Sequence, residues 1–174
     1  MLAAKQLLTK QTAEAFSGRP DMSLMGSLDG VTQEEASWVL DKNAPTIEQI
    51  VRHVAWAKSR FCQQGFGTAM VLDDPVVNED GDCADLPWEF PCGAGWGAKS
   101  SGSIAEAIFL LEQSQRVLTE CLESCTDDAL EKPIANHHGK KSAANFFWIM
   151  IMHDIYHAGQ IRTRRTMRRA TAAK

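Results

Sequence analysis

Apolar residues recur along most of the chain with the period of α-helices, and no alternating stretch is long enough to predict a sheet. The pattern predicts four long helices, which cover Leu2–Ser17, Thr46 to a stop at Gly65, Ser103–Ser124, and a last segment that begins near Ser142 and continues into the arginine-rich end. Four long helical segments without a competing strand signal predict an all-α protein whose helices form a bundle.

Polar residues with helix-capping chemistry stand where several of these helices are predicted to begin. Thr46 precedes the second long helix and can cap it. Ser103 and Thr32 are each followed by a glutamate three residues later, which is the capping-box spacing that opens a helix. Thr32 therefore predicts one short helix within the connection Arg19–Ala44.

Residues Gly67–Gly102 are the irregular part of the chain and hold three of its six prolines. A loop of this length inside a small domain commonly forms a lid, forms the wall of a site, or is mobile. Its large aromatic residues, Trp88, Phe90 and Trp96, need an apolar place to bury, which argues against a solvated linker. We therefore count Trp88 among the candidates for the substrate side of a site, and the role of the loop as a whole stays open.

Length and composition indicate one globular domain. At 174 residues, with 44% apolar and 23% charged residues, the chain is predicted to form a single domain over residues 1–174. The five cysteines include no CxxC pair, so neither a disulfide framework nor a zinc knuckle is indicated. We interpret the cysteines as small buried hydrophobic residues.

Charge and hydropathy argue against two classes of partner. The formal net charge of −4 gives no general attraction to nucleic-acid phosphates. The basic end, Arg162–Lys174, contains six basic residues and no acidic ones but no interleaved aromatics, so we expect no nucleic-acid binding. Met1–Lys10 has no apolar signal-peptide core, and the longest apolar run, Phe146–Met152, is far shorter than a membrane span. We expect a cytoplasmic protein that does not bind membranes.

The histidines carry the strongest chemical signal. The i,i+4 spacing of His153 and His157 on a helix places both imidazoles on one face, where they could share a metal ion. Such a pair is more often structural, so a third ligand from a facing helix is needed. Only His53 lies inside another predicted long helix, whereas His137 and His138 are interpreted as exposed turn residues. An imidazole at the core-type position of His53 needs either a ligand or a hydrogen-bond partner, and both interpretations stay open here.

The helix face that carries the pair becomes polar beyond it, at Gln160 and Arg164. This change indicates a site that is dry on one side and open on the other. Gln160 follows His157 by three residues and could contact a bound molecule, although a helix–helix hydrogen bond is an equal alternative. Arg164 could bind a carboxylate of a substrate or thiol if it turns inward. Asp154 lies off this face, and we expect it to orient another group or cap a helix.

Four segments of the chain match one family pattern. HDIYHAGQI at His153–Ile161 is the most specific of them, and TIEQIVRHVAWAKSRF at Thr46–Phe61 contains a single histidine. SLDGVTQEEASW at Ser27–Trp38 and LPWEFP at Leu86–Pro91 complete the set. Together they resemble the DinB-like (YfiT-like) superfamily of bacterial four-helix-bundle proteins, whose C-terminal signature, second helix, preceding connection and tryptophan-bearing loop these segments match.

The resemblance implies a fold, a cofactor and a ligand set. The implied fold is an up-down four-helix bundle with a long loop between the second and third helices. The implied cofactor is one divalent transition metal, zinc, nickel or iron, held by His53, His153 and His157. The superfamily includes thiol S-transferases that use small cytosolic thiols; many members have no established activity, and some form homodimers.

Three imidazoles around a divalent ion leave at least one coordination position open, which is the layout of a catalytic site. We therefore expect a metal-dependent transferase that joins a low-molecular-weight thiol to a small-molecule substrate. A metal-dependent hydrolase that uses the same position for hydroxide is one alternative. A metal-stabilised stress-response or binding module without turnover is the other. The lack of an obvious dedicated general base slightly favours the thiol chemistry.

Overall fold

The computed structural model describes residues 3–40, 44–72, 103–136 and 139–172. Their elements in chain order are α1 Ala4–Ser17, α2 Leu24–Leu28, α3 Gln33–Ala36, α4 Ile47–Phe66, α5 Ile104–Ser124, α6 Asp127–Glu131, β1 Pro133–Asn136, β2 Gly139–Ser142 and α7 Ala143–Ala172. The all-α prediction is confirmed, since all four predicted long helices are present. The up-down order of the bundle and the assignment of residues 1–174 to one domain stay predictions.

The predicted helix starts have the capping hydrogen bonds that their sequences indicate. Thr46 and Gln49 form a reciprocal capping box at the start of α4, where each side chain accepts the backbone N–H of the other. Ser103 caps α5 and Thr32 caps the short α3, and each accepts the backbone N–H of the glutamate three residues later. These side chains satisfy N–H groups that the helix leaves without a backbone partner.

Helix α4 ends beyond the glycine that the sequence indicated as its stop. Gly65 continues the helix, whereas Gly67 has a φ of 71° and donates its backbone N–H to the carbonyl of Gln63 at 2.9 Å. A left-handed residue closes the last helical turn, and glycine adopts this conformation without a steric penalty. Either glycine could adopt the left-handed conformation that ends a helix. In the structure Gly67 adopts it, so the helix continues through Gly65.

A short antiparallel hairpin, β1–β2, precedes α7 and was not predicted. Pro133 pairs with Ser142 and Ile134 with Lys141, and two further pairs complete the four-residue ladder. Four-residue strands give too little alternation to stand out from a loop in the sequence. The two turn residues, His137 and His138, lie outside the described ranges.

Two apolar clusters form the core, and α7 belongs to both. Helix α4 packs along α5, α1 packs along α7, and α4 also contacts α7. On α7 the first cluster extends to Ile151, and the second begins at Ala158. The intervening turn carries His153 and His157, so the histidine pair lies where the two halves of the core meet.

Two further expectations concern the cysteines and membranes. Cys62, Cys121 and Cys125 are buried and free of disulfide bonds, in agreement with the interpretation of small hydrophobic residues. Cys83 and Cys92 lie outside the described ranges. Among the helices that the structure describes, none combines the length and the apolar content needed to cross a lipid bilayer.

Candidate metal centre

Three imidazoles from two helices meet at one point in the structure. The Nε2 atom of His153 lies 3.1 Å from Nε2 of His53 and 3.1 Å from Nε2 of His157. One ligand atom from each of the three residues falls within 4.8 Å of the other two. Nitrogen ligands about 2.0–2.1 Å from a tetrahedral ion lie about 3.3 Å from each other, so these separations suit a shared metal.

The core positions of α4 and α7 place these side chains. On α4, His53 lies between Ile50 and Val54, both fully buried, and is itself only 2% exposed. On α7, Phe146 and Met150 are buried and lie seven residues before the two histidines. Since seven residues are close to two helical turns, the apolar face of α7 leads directly to the histidine pair.

Hydrogen bonding at His157 fixes which of its nitrogens faces the centre. The Oε1 atom of Gln160 lies 2.8 Å from Nδ1 of His157, while Nε2 of Gln160 donates to the hydroxyl of Tyr156 at 2.8 Å. With the amide in this orientation, His157 donates its Nδ1–H, and its Nε2 carries a lone pair. A backing hydrogen bond of this kind is characteristic of histidines that ligate metals.

The short nitrogen–nitrogen contacts cannot both be hydrogen bonds. A neutral imidazole carries one N–H, and Nε2 of His157 has none because its proton is on Nδ1. If Nε2 of His153 carries the proton, it can donate to only one of its two neighbours, His53 or His157. If it carries a lone pair instead, that lone pair faces the lone pair on Nε2 of His157. A cation at the centre removes this conflict because all three lone pairs can then point to it.

The charge state of the three imidazoles also suits a metal. Burial lowers the pKa of His53 to about 3, with a further contribution from His157. Burial lowers the pKa of His157 to about 4, and the hydrogen bond with Gln160 opposes part of this shift. The pKa of His153 lies well below its ordinary value, chiefly through burial and then through electrostatic coupling to His157, His53 and Lys58. All three side chains are therefore neutral at pH 7, which is the form that binds metals.

A buried ion pair lies next to the histidines and was not anticipated from the sequence. Lys58 on α4 is 0% exposed, and its ammonium donates to Asp154 of α7 at 2.7 Å. The same ammonium donates to Gln115 of α5 and lies 4.5 Å from the ring centroid of Phe16. Burial lowers the pKa of Lys58 and raises that of Asp154, and each partner opposes the shift of the other. Asp154 thus orients a neighbouring group, which was one of its two expected roles.

A pocket of about 380 Å³ lies along α7 beside the turns that follow the histidine pair. Its walls include Leu40, Tyr156, Gln160, Thr163, Arg164 and Met167. Gln160 and Arg164, the two α7 residues proposed from the sequence for the substrate side, therefore line one pocket, and Gln160 also contacts His157. The third such residue, Trp88, lies outside the described ranges, as does most of the loop Gly67–Gly102.

The three histidines fit a metal site in their geometry, charge state and hydrogen bonding. Three neutral, buried or partly buried nitrogen donors converge, and one of them is oriented by an amide behind it. Imidazole ligands suit zinc, nickel, iron and copper, so the donor set does not select one metal. The three histidines could hold a divalent ion and leave at least one position open.

Comparison with known proteins identifies the family. The family model of the DinB superfamily matches residues 21–161, a range that contains all three histidines, Lys58 and Asp154. Neither the curated proteins nor the solved structures give a significant match. The resemblance seen in the sequence is confirmed: the chain belongs to the DinB superfamily.

Proposed function

We propose that the chain is a divalent-metal-dependent transferase that joins a low-molecular-weight thiol to a small electrophile. The observation that carries this proposal is the meeting of three neutral imidazole nitrogens within 4.8 Å of one another, with three protein donors where a tetrahedral ion takes four. A bound divalent ion supplies a site at which a thiol is held as its thiolate at neutral pH. The new carbon–sulfur bond then uses the sulfur electron pair, and the leaving group departs with the electrons of the broken bond.

The side chains around the histidines support transfer from a thiol over hydrolysis. Hydrolysis commonly needs a positioned general base to remove a proton from water. Asp154 follows His153 directly in sequence, but its Oδ2 is bound to Lys58 and the residue is 1% exposed. Gln160 cannot accept and release a proton, and the Tyr156 hydroxyl already accepts from Gln160. A divalent ion held by the three histidines would favour the thiolate, so the thiol proton would pass to solvent and no base from the chain would be needed.

Metal content tests the site before any activity is considered. We would measure bound metal in the purified protein, in His53→Ala and in the double variant His153→Ala/His157→Ala, with Glu112→Gln as an exposed control on α5. The proposal expects about one equivalent in the native chain and the control, and loss in both histidine variants. Equal metal content in all four proteins would end the three-histidine assignment.

Turnover assays separate the thiol transferase from its alternatives. The metal-loaded protein is incubated with a panel of thiols and chlorodinitrobenzene, and separately with nitrophenyl acetate and an anilide without thiol. Thiol-dependent arylation that His53→Ala abolishes supports the transferase. Ester or anilide cleavage without thiol identifies a hydrolase instead. Metal-dependent stabilisation with no turnover in either assay identifies a binding module and overturns the proposal.

A further inference from the structure

Arg164 differs from the other arginines of α7 because one end of its guanidinium is shielded from solvent without a hydrogen-bond partner among the described residues. Arg162 donates to the carbonyls of Pro20 and Ser23, and Arg165 forms an ion pair with Glu35 at 3.0 Å. The Nη1 atom of Arg164 is shielded from solvent, yet it has no hydrogen-bond partner among the described residues.

This uncompensated guanidinium carries a free-energy cost in the unliganded protein. A guanidinium stays protonated in proteins, so the shielded end of Arg164 keeps its positive charge. Partial burial lowers the pKa of Arg164, which shows that the site disfavours an isolated charge. An anion that accepted two hydrogen bonds from the guanidinium would offset this cost, and carboxylates match that planar geometry.

The rest of the pocket suits a carboxylate joined to an apolar chain. Leu40 and Met167 contribute apolar surface to the lining. The hydroxyl of Tyr156 accepts from Gln160, so its own proton is available to a second acceptor in the pocket. None of the described residues that line the pocket is acidic, so none of these would repel an anion.

The pocket and the histidine centre lie along the same face of α7, with Gln160 between them. Arg164 follows His157 by seven residues, which places the two Cα atoms about 10 Å apart along the helix and on the same side. Gln160 lies between them, lines the pocket and accepts from His157. A short chain molecule could therefore have one end at Arg164 and the other at the histidines.

We propose that Arg164 is the carboxylate-binding residue for the small molecule that the histidine centre acts on. The position of the carboxylate follows from the pocket alone, whereas the nature of the opposite end, a thiol, rests on the proposed function. Arg164 would thus select acids over neutral analogues of the same length.

The first experiment tests the anion site without metal. Binding of hexanoate and of hexanol to the metal-free protein is measured by calorimetry for the native chain, Arg164→Gln and Arg169→Gln. Arg169 is exposed on the same helix and serves as the matched control. We expect native and Arg169→Gln proteins to bind hexanoate at least about tenfold more tightly than Arg164→Gln does, since a charge-assisted hydrogen bond is lost. The proposal would be overturned if all three proteins bound hexanoate equally, or if the native protein bound hexanol as tightly as hexanoate.

The second experiment connects this site to the metal. Cobalt-loaded protein is titrated with mercaptohexanoate and mercaptohexanol, and the sulfur-to-cobalt absorption band reports the thiolate. We expect the acid to saturate the band at about tenfold lower concentration than the alcohol, and the difference to vanish in Arg164→Gln. An acid preference that survives in Arg164→Gln contradicts the inference. If neither thiol produces the band, the proposed thiol chemistry fails, and hexanoate binding still decides the role of Arg164.

Discussion

The ammonium of Lys58 lies 2.7 Å from the carboxylate of Asp154 and joins the two helices that carry the three histidines. Lys58 follows His53 by five residues on α4, and Asp154 follows His153 directly on α7. Because the ion pair is buried, a sliding motion of one helix along the other would leave two charges without partners, at a high cost in free energy. The pair therefore fixes the register in which His53 meets His153.

Replacement of Lys58 by methionine is expected to lower the free energy of unfolding by about 3–5 kcal/mol, because Asp154 is left as an unpaired buried charge. Urea unfolding of the metal-free protein measures this loss. The double variant Lys58→Met/Asp154→Leu should recover most of the stability, since apolar replacement of a buried pair is often neutral. Its zinc affinity should nevertheless remain about tenfold below that of the native chain, because the register is no longer fixed. Native zinc affinity in the double variant would limit the pair to a structural role.

Gln160 is predicted to tune the metal site through His157. The variant Gln160→Leu removes the acceptor of the Nδ1–H and should lower zinc affinity about 10–100-fold. The variant Gln160→Glu keeps an acceptor and should bind zinc at least as tightly as the native chain. Competition with a chromogenic chelator measures both affinities. Tyr156→Phe is the control, because it removes the hydroxyl but leaves the contact between Gln160 and His157. A loss in Tyr156→Phe as large as that in Gln160→Leu would contradict this role.

Zinc binding should raise the melting temperature of the native protein and leave that of His53→Ala nearly unchanged. A ligand that binds only the folded state adds about 2.7 kcal/mol of stability at 100 times its dissociation constant. Calorimetric melting with and without zinc, with Glu112→Gln as an exposed control, measures the shift. A zinc-dependent shift of native size in His53→Ala would place the ion elsewhere.

The sequence was sufficient to predict the helices and the histidine trio because both depend on local patterns. Helical periodicity and capping residues act within a few positions, and the i,i+4 spacing of His153 and His157 defines a face without knowledge of the fold. His53 could be proposed as the third ligand because, apart from the pair, it is the one histidine inside a predicted long helix. The convergence of its Nε2 atom on that of His153 at 3.1 Å is a tertiary fact that spacing cannot supply.

Other features depended on partners distant in sequence, which is why the sequence did not reveal them. Nothing in the sequence distinguishes Lys58 from a solvent-exposed lysine. Its full burial is explained by Asp154 and Gln115, which lie 96 and 57 residues away in the sequence and accept from its ammonium. The choice of Gly67 over Gly65 as the end of α4 depends on which of them adopts a positive φ. Arg164 belongs to a run of arginines in the sequence, and only the structure shows which of its neighbours are already paired.

The low pKa values of the histidines predict how the metal-free protein responds to acid. The pKa of His53 is about 3 and that of His157 about 4, below the ordinary value of 6.5, so the unfolded chain binds more protons in the intervening range. The stability contribution is therefore complete above pH 6.5 and is lost as the pH falls toward these values. Each histidine contributes a slope of up to about 1.4 kcal/mol per pH unit within its window.

His53→Gln isolates one of these contributions, because glutamine is similar in size and does not titrate. Between pH 6.5 and pH 5, the unfolding free energy of the native protein should fall by about 1.6 kcal/mol more than that of the variant. Urea unfolding with a chelator present, at pH intervals of about half a unit, measures the difference. The sign of the change distinguishes two cases. If His53 were protonated and ion-paired, the unfolding free energy of the native protein would rise relative to that of the variant as the pH falls. A difference that does not change with pH would show that His53 is not held neutral by burial, and would remove the electrostatic support for its role as a metal ligand.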